Sequence, residues 1–136
     1  MSFETEAPLK SKKSKHLIQR HKHVLFVLLK KDNNNPEAHN LYAFILYFKK
    51  NYLEAINRWS QAIKIKPDYI EALNGMGNAL LKLERFDEGA VNFNKAIKIN
   101  PKYFEAYSNL GNLLIKSEKF EEAVINFGKA IKIKPN

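Results

Sequence analysis

Cysteine is absent from this 136-residue chain, and with it go disulfide scaffolds, thiolate-ligated zinc sites and thiol nucleophiles. A reducing compartment is compatible with that lack. Long apolar runs are missing too: Val24 to Leu29 has six residues and Leu41 to Phe48, tyrosines included, has eight, against about 20 for a helix that spans a bilayer. No membrane span is expected. Glu4 and Glu6 precede the first lysines and no small-residue cleavage pattern follows the apolar run, so a secretory signal is not expected and the cytoplasm is the default location. Catalytic ingredients are equally sparse. Serines are few, and Asp32, Asp68 and Asp87 all fall at expected helix boundaries, so no nucleophile, base and orienting group can be assembled. His16, His21, His23 and His39 have no carboxylate or cysteine at ligand spacing, which argues against a metal site. Gly75-Met76-Gly77 lies inside a helical pattern without a third glycine, which argues against a phosphate loop. No enzyme activity and no cofactor are expected.

What is present is enough for one packed domain: 45% hydrophobic and 27% charged residues exclude a wholly disordered or fibrous chain. The net charge of +9 is unevenly placed. Residues 1–32 carry +5, whereas 36–69, 70–103 and 104–136 carry +2, +1 and +1. More than half of the imbalance therefore lies in a leader, Lys10 to Lys15 and on to Arg20 and Lys22, with 1–13 read as a solvated basic tail. Contact of that tail with nucleic acid, an acidic lipid surface or an acidic partner is the alternative, and nucleic-acid binding is not favoured.

Pro67, Pro101 and Pro135 are spaced 34 residues apart, and 68–101 aligned with 102–135 gives 18 identities in 34 positions, where unrelated sequences give about two. A third copy, 36–69, matches at the same offset through Tyr52, Ala55, Trp59, Ala62, Ile63, Ile65 and Pro67. Within a copy the apolar spacing is helical, as in Phe104, Tyr107, Leu110, Leu114 and again in Ala123, Phe127, Ala130, Ile131. Each copy is thus two helices, broken near Lys49–Asn51, Glu84–Arg85 and Glu118–Lys119. The prolines end the second helices, because proline disfavours an α conformation in the residue before it. Small residues, Gly77 and Gly111 on first helices and Ala55, Gly89 and Ala123 on second helices, let helices approach. Trp59, Phe93 and Phe127 fill the gaps between them.

This arrangement of small, aromatic and proline positions resembles the tetratricopeptide repeat (TPR) family over roughly 36–136. The resemblance implies an all-α solenoid, a right-handed superhelix of antiparallel helix pairs, with repeats at 36–69, 70–103 and 104–136. It also implies that first helices line a concave groove. Pro36 and His39 in the first copy, and Gly89 in place of the usual alanine, are the departures. Upstream, Leu25 and Leu29 stand one period before Trp59 and Ile63, so 14–32 is expected to form an N-terminal helix, a degenerate repeat or cap with Ser14 as its start. Downstream, no polar capping helix follows the last repeat, which leaves Val124, Phe127 and Ile131 partly uncovered. Self-association there, or continuation into a longer product, follows as an expectation.

Removing the core positions leaves the groove candidates: Asn40, Phe44, Tyr47 and Phe48 in copy one, Asn74, Asn78 and Lys82 in copy two, and Asn109, Asn112 and Lys116 in copy three. An amide side chain both donates and accepts, so it can pair with the backbone of an extended peptide without demanding one side-chain sequence. In TPR proteins such asparagines serve chaperone clamps and the asparagine ladder of O-linked N-acetylglucosamine transferases. Asn78 and Asn109 match the clamp's two asparagines, yet Asn74 stands where its lysine is required, which argues against a C-terminal carboxylate ligand. Phe44, Tyr47 and Phe48 either extend the groove or pack against the N-terminal helix. The lysines Lys64/Lys66, Lys95/Lys98 and Lys129/Lys132/Lys134 complement helix dipoles. The expected function is a non-catalytic scaffold that binds a protein or peptide segment. The alternative is the substrate-recruiting arm of a larger glycosyltransferase- or sulfotransferase-type enzyme.

Overall fold

A computed structural model describes residues 12–135. Among the described residues there are seven helices: α1 (Lys12–Lys31), α2 (Pro36–Phe48), α3 (Tyr52–Ile65), α4 (Ile70–Lys82), α5 (Phe86–Ile99), α6 (Phe104–Lys116) and α7 (Phe120–Ile133). Of the basic tail read over 1–13, residues 1–11 lie outside the described residues, and Lys12 and Lys13 form the first turn of α1. The chain is an all-α solenoid of three hairpins, α2/α3, α4/α5 and α6/α7, preceded by α1.

Helix boundaries follow local chemistry. Asn35 caps α2 by accepting from the Ala38 N–H at 3.0 Å, and Pro36 occupies the first helical position, where its missing donor costs nothing. The second helices stop at Ile65, Ile99 and Ile133; the residues before each proline, Lys66, Asn100 and Lys134, take extended ψ values of 87°, 97° and 91°. Within the hairpins the turn is the same each time. Lys50, Glu84 and Glu118 adopt φ of 64°, 60° and 63°, and the next N–H reaches back to Leu46, Leu80 and Leu114 carbonyls at 2.8, 2.9 and 2.7 Å. These are Schellman closures of the first helices, with a charged residue where glycine is usual.

Each helix packs on its chain neighbours, and in addition α2 touches α4 and α4 touches α6. The second helices α3, α5 and α7 have no such mutual packing among the described residues. First helices therefore form the inner wall of the curve and second helices the outer wall, which makes the first-helix face concave.

The core is a row of aromatic side chains set against missing side chains. Trp59 and Phe93 are fully buried. A Cβ on Gly77 would lie 2.6 Å from the Phe93 ring, and one on Gly111 would lie 2.7 Å from the Phe127 ring. Gly75 meets the Trp59 ring of the preceding hairpin in the same way, so that ring joins copy one to copy two. Ala55, Gly89 and Ala123 are buried on the second helices. At the far end of the array no helix among the described residues covers α7, and Val124 and Ile131 are 71% and 60% exposed while Phe127 is half-buried.

Gly128 is the exception among the glycines, since a Cβ there meets nothing within 4 Å. Two substitutions of one type should therefore move stability in opposite directions. Gly128→Ala should add about 1 kcal/mol through helix propensity alone. Gly77→Ala should lose about 1–3 kcal/mol, because Phe93 must leave its place. Urea unfolding followed by circular dichroism measures both.

Candidate peptide-binding groove

The inner wall carries its polar groups at the same heights on successive helices. On α4 and α6, Asn109 Nδ2 donates to Asn74 Oδ1 at 3.0 Å, joining copy two to copy three through side-chain amides. Asn78 is half-buried and Asn112 exposed on the same two helices. Lys82 and Lys116 are exposed at their C-terminal ends, where a cation complements the helix dipole. Glu71 and Glu105 occupy the first turns of the same helices. The wall has an acidic edge, a row of amides and a basic edge.

Tyr103, which precedes α6, reaches this row. Burial raises its phenol to about 12, the Glu105 and Glu71 carboxylates add to the rise, and Asn74 opposes it through a hydrogen bond. Tyr69 stands in the equivalent place one copy earlier. Its phenol is raised by burial first and then by Glu37 and Glu71, with Asn40 opposing. These tyrosines escaped the sequence reading because they sit in the loops between hairpins; their signal was recurrence, Tyr at 69 and 103.

Copy one differs. Asn40 is 8% exposed, and its Oδ1 accepts from Trp59 Nε1 at 2.8 Å. A buried indole N–H needs an acceptor, and the phenylalanines that replace Trp59 in the later copies have none to satisfy. The only tryptophan in the chain was thus the available sign that this asparagine serves the core. The neighbouring His39 is also buried, with Nε2 2.9 Å from the Asn33 carbonyl oxygen.

The aromatic trio of copy one divides between core and surface. Phe44 stands edge-on to Trp59 with ring centroids 5.1 Å apart. Tyr47 is half-buried between Tyr52 at 5.4 Å and Trp59 at 6.0 Å, and burial raises its phenol. Phe48 is 56% exposed. Phe44 and Phe48 also face α1 across a groove of about 520 Å³ shared with Ile18, Val24, Leu41 and Ile45. The structure therefore brings together Asn74 and Asn109, with Asn78 and Asn112 on the same helices. It sets Phe44 and Phe48 apart at the α1 end. Among the described residues no helix is long and apolar enough to cross a membrane.

A stack of 34-residue helical hairpins with a polar inner wall defines a helical-repeat protein. The TPR repeat family model matches residues 45–84 and 77–117, and the tetratricopeptide repeat model matches 104–136. The chain belongs to the tetratricopeptide repeat family, whose fold is typical of protein–protein interaction scaffolds and is generally non-catalytic. A crystal structure of MamA is similar at TM-score 0.83 and 22% identity, covering 96% of this chain and 78% of that one. The Arabidopsis OM64 TPR domain is similar at TM-score 0.72 and 24% identity, covering 74% of this chain and 83% of that one. At these identities the likeness is one of fold. No curated protein matches the chain.

Two outcomes follow from the geometry. Asn40→Ala leaves the Trp59 N–H buried without an acceptor, at a cost of about 1–3 kcal/mol, and thermal melting should show a lowered Tm. The raised Tyr103 phenol resists ionisation when folded, so its stabilising share is complete below its ordinary value of 10.0 and is lost as pH rises toward about 12. Across that window Tm should fall more steeply in the parent protein than in Tyr103→Phe.

Proposed function

We propose that this chain is a non-catalytic scaffold that holds an extended peptide segment of a partner protein across its concave wall. The observation that carries the reading is the amide pair Asn74–Asn109, bonded at 3.0 Å between adjacent first helices. Each amide group has one acceptor oxygen and two donor hydrogens, so the pair, with its mutual bond and the bond of Asn74 to the Tyr103 phenol, retains capacity for a peptide backbone crossing the helices. Asn78 and Asn112 extend the row, and Glu71, Glu105, Lys82 and Lys116 give it one edge of each sign, which sets a preferred direction for a charged segment. The lack of cysteine agrees with a cytoplasmic setting.

A second reading, self-association through the last repeat, draws support from the exposed apolar residues Phe120, Val124 and Ile131 on α7. It uses the outer end of the array and leaves the concave wall free.

The decisive variant replaces Asn74, Asn78, Asn109 and Asn112 with alanine together. Loss of about 0.5–1.5 kcal/mol per hydrogen bond should remove most partners recovered by affinity purification and mass spectrometry, with helicity intact. An unchanged partner set on a folded variant refutes the reading.

A further inference from the structure

We infer that the groove between α1 and α2 is a second binding site, and that its occupant is an amphipathic helix with an acidic polar face supplied by another protein. It goes beyond the peptide site proposed above and uses different residues. The groove, about 520 Å³, is walled by Ile18, Val24, Leu41, Phe44, Ile45 and Phe48, with His21 as the polar group of its lining. Val24, Leu41 and Phe48 are 53%, 54% and 56% exposed, an apolar surface that water disfavours.

The chemistry of the wall selects the backbone of its occupant. An extended strand laid along these side chains would leave its N–H and C=O groups without partners, at a cost comparable to the lost hydrogen bonds. A helix pairs those groups internally and offers apolar anchors at i, i+3, i+4 and i+7. The amide row on α4 and α6 has the opposite character and suits extended chain.

Charge selects the occupant's polar face. Helix α1 contains Lys12, Lys13, Lys15, Arg20, Lys22, Lys30 and Lys31 and no acidic residue. Lys15 and Lys49 border a depression that shares Ile18 and Phe48 with the groove, and Arg20 borders another that shares Val24. Lys49 is held toward α1 by donating to Gln19 Oε1. The one carboxylate of α2, Glu37, is in its first turn, at the end opposite Phe48. Cations therefore frame an apolar recess, which complements a helix with a leucine-like stripe between carboxylates. A recess between two helices also fits a convex helix better than a flat membrane surface.

The probe is a labelled synthetic peptide of about five helical turns, leucine on one face and glutamate elsewhere, titrated by anisotropy into the full chain. A matched peptide with lysine for glutamate and phosphatidylserine vesicles run beside it. The expected result is saturable binding of the acidic peptide, weakened by salt, and about tenfold weaker binding of the basic one. Val24→Glu and Phe48→Glu should each reduce affinity about tenfold with helicity intact; Val24→Glu should also leave Tm unchanged, whereas Phe48→Glu gives up ring contacts with Phe44 and Tyr47. The quadruple asparagine variant should keep it, which separates this site from the concave wall. Equal binding of the two peptides, indifference to both glutamate variants, or partition onto vesicles without peptide binding overturns the inference. So does binding that appears only after residues 1–11 are removed, which assigns the groove to the chain's own leader.

Discussion

Everything in this molecule depends on how closely helices can approach where a side chain has been left out. The rings of Trp59, Phe93 and Phe127 occupy the volumes that Cβ atoms would fill at Gly75, Gly77 and Gly111. Close-packed interiors tolerate neither a void nor an extra methyl at such places. Phe93 and Phe127 fit glycines of their own hairpins and Trp59 fits Gly75 of the next one, while copies two and three close up at Gly89, where a Cβ would lie 2.9 Å from Leu113; the bond from Asn109 to Asn74 spans those same two copies. The polar wall is thus a consequence of the apolar interior behind it.

The concave wall and the α1 groove differ because copy one differs. In copies two and three the inner wall is polar, with amides and terminal charges. In copy one the corresponding helix presents Leu41, Phe44 and Phe48, while its asparagine turns inward to Trp59. A single exchange of Phe for Trp at one repeat position thus reassigns a wall residue to the core, because the indole N–H cannot be buried alone. The chain presents a sticky apolar end and a hydrogen-bonding middle from one repeated plan.

Much of this was legible beforehand, for identifiable reasons. The 34-residue spacing of Pro67, Pro101 and Pro135 fixes where second helices end, and the helices do stop at Ile65, Ile99 and Ile133. The breaks in the apolar pattern fall where the first helices end, at Phe48, Lys82 and Lys116, yet the pattern hides their conformation: Lys50, Glu84 and Glu118 take left-handed φ values that their residue types do not advertise. The start of α1 at Lys12, ahead of Ser14, was equally hidden, since a run of lysines carries no apolar period to read. Among the site residues, Asn78 and Asn112 stand at one repeat position, whereas the Asn109–Asn74 bond joins residues 35 apart, one more than the period, so the spacing alone does not pair them. Asn40 could be assigned only by asking what a solitary buried tryptophan does with its proton. The α1 groove depends on how α1 docks, which periodicity does not specify.

A chain that nearly copies itself invites a distinctive folding error, in which one unit assembles a full period out of step with its neighbour. Copies two and three share 18 of 34 residues, and many of their mutual contacts would survive such a slip. The Trp59 ring, by contrast, lies against Gly75 of copy two, where a Cβ would overlap it, and copy three has Asn109 at the equivalent position. Copy three set one period early would drive that side chain into the indole, so this bare stretch of helix acts as the index mark from which the hairpins are counted.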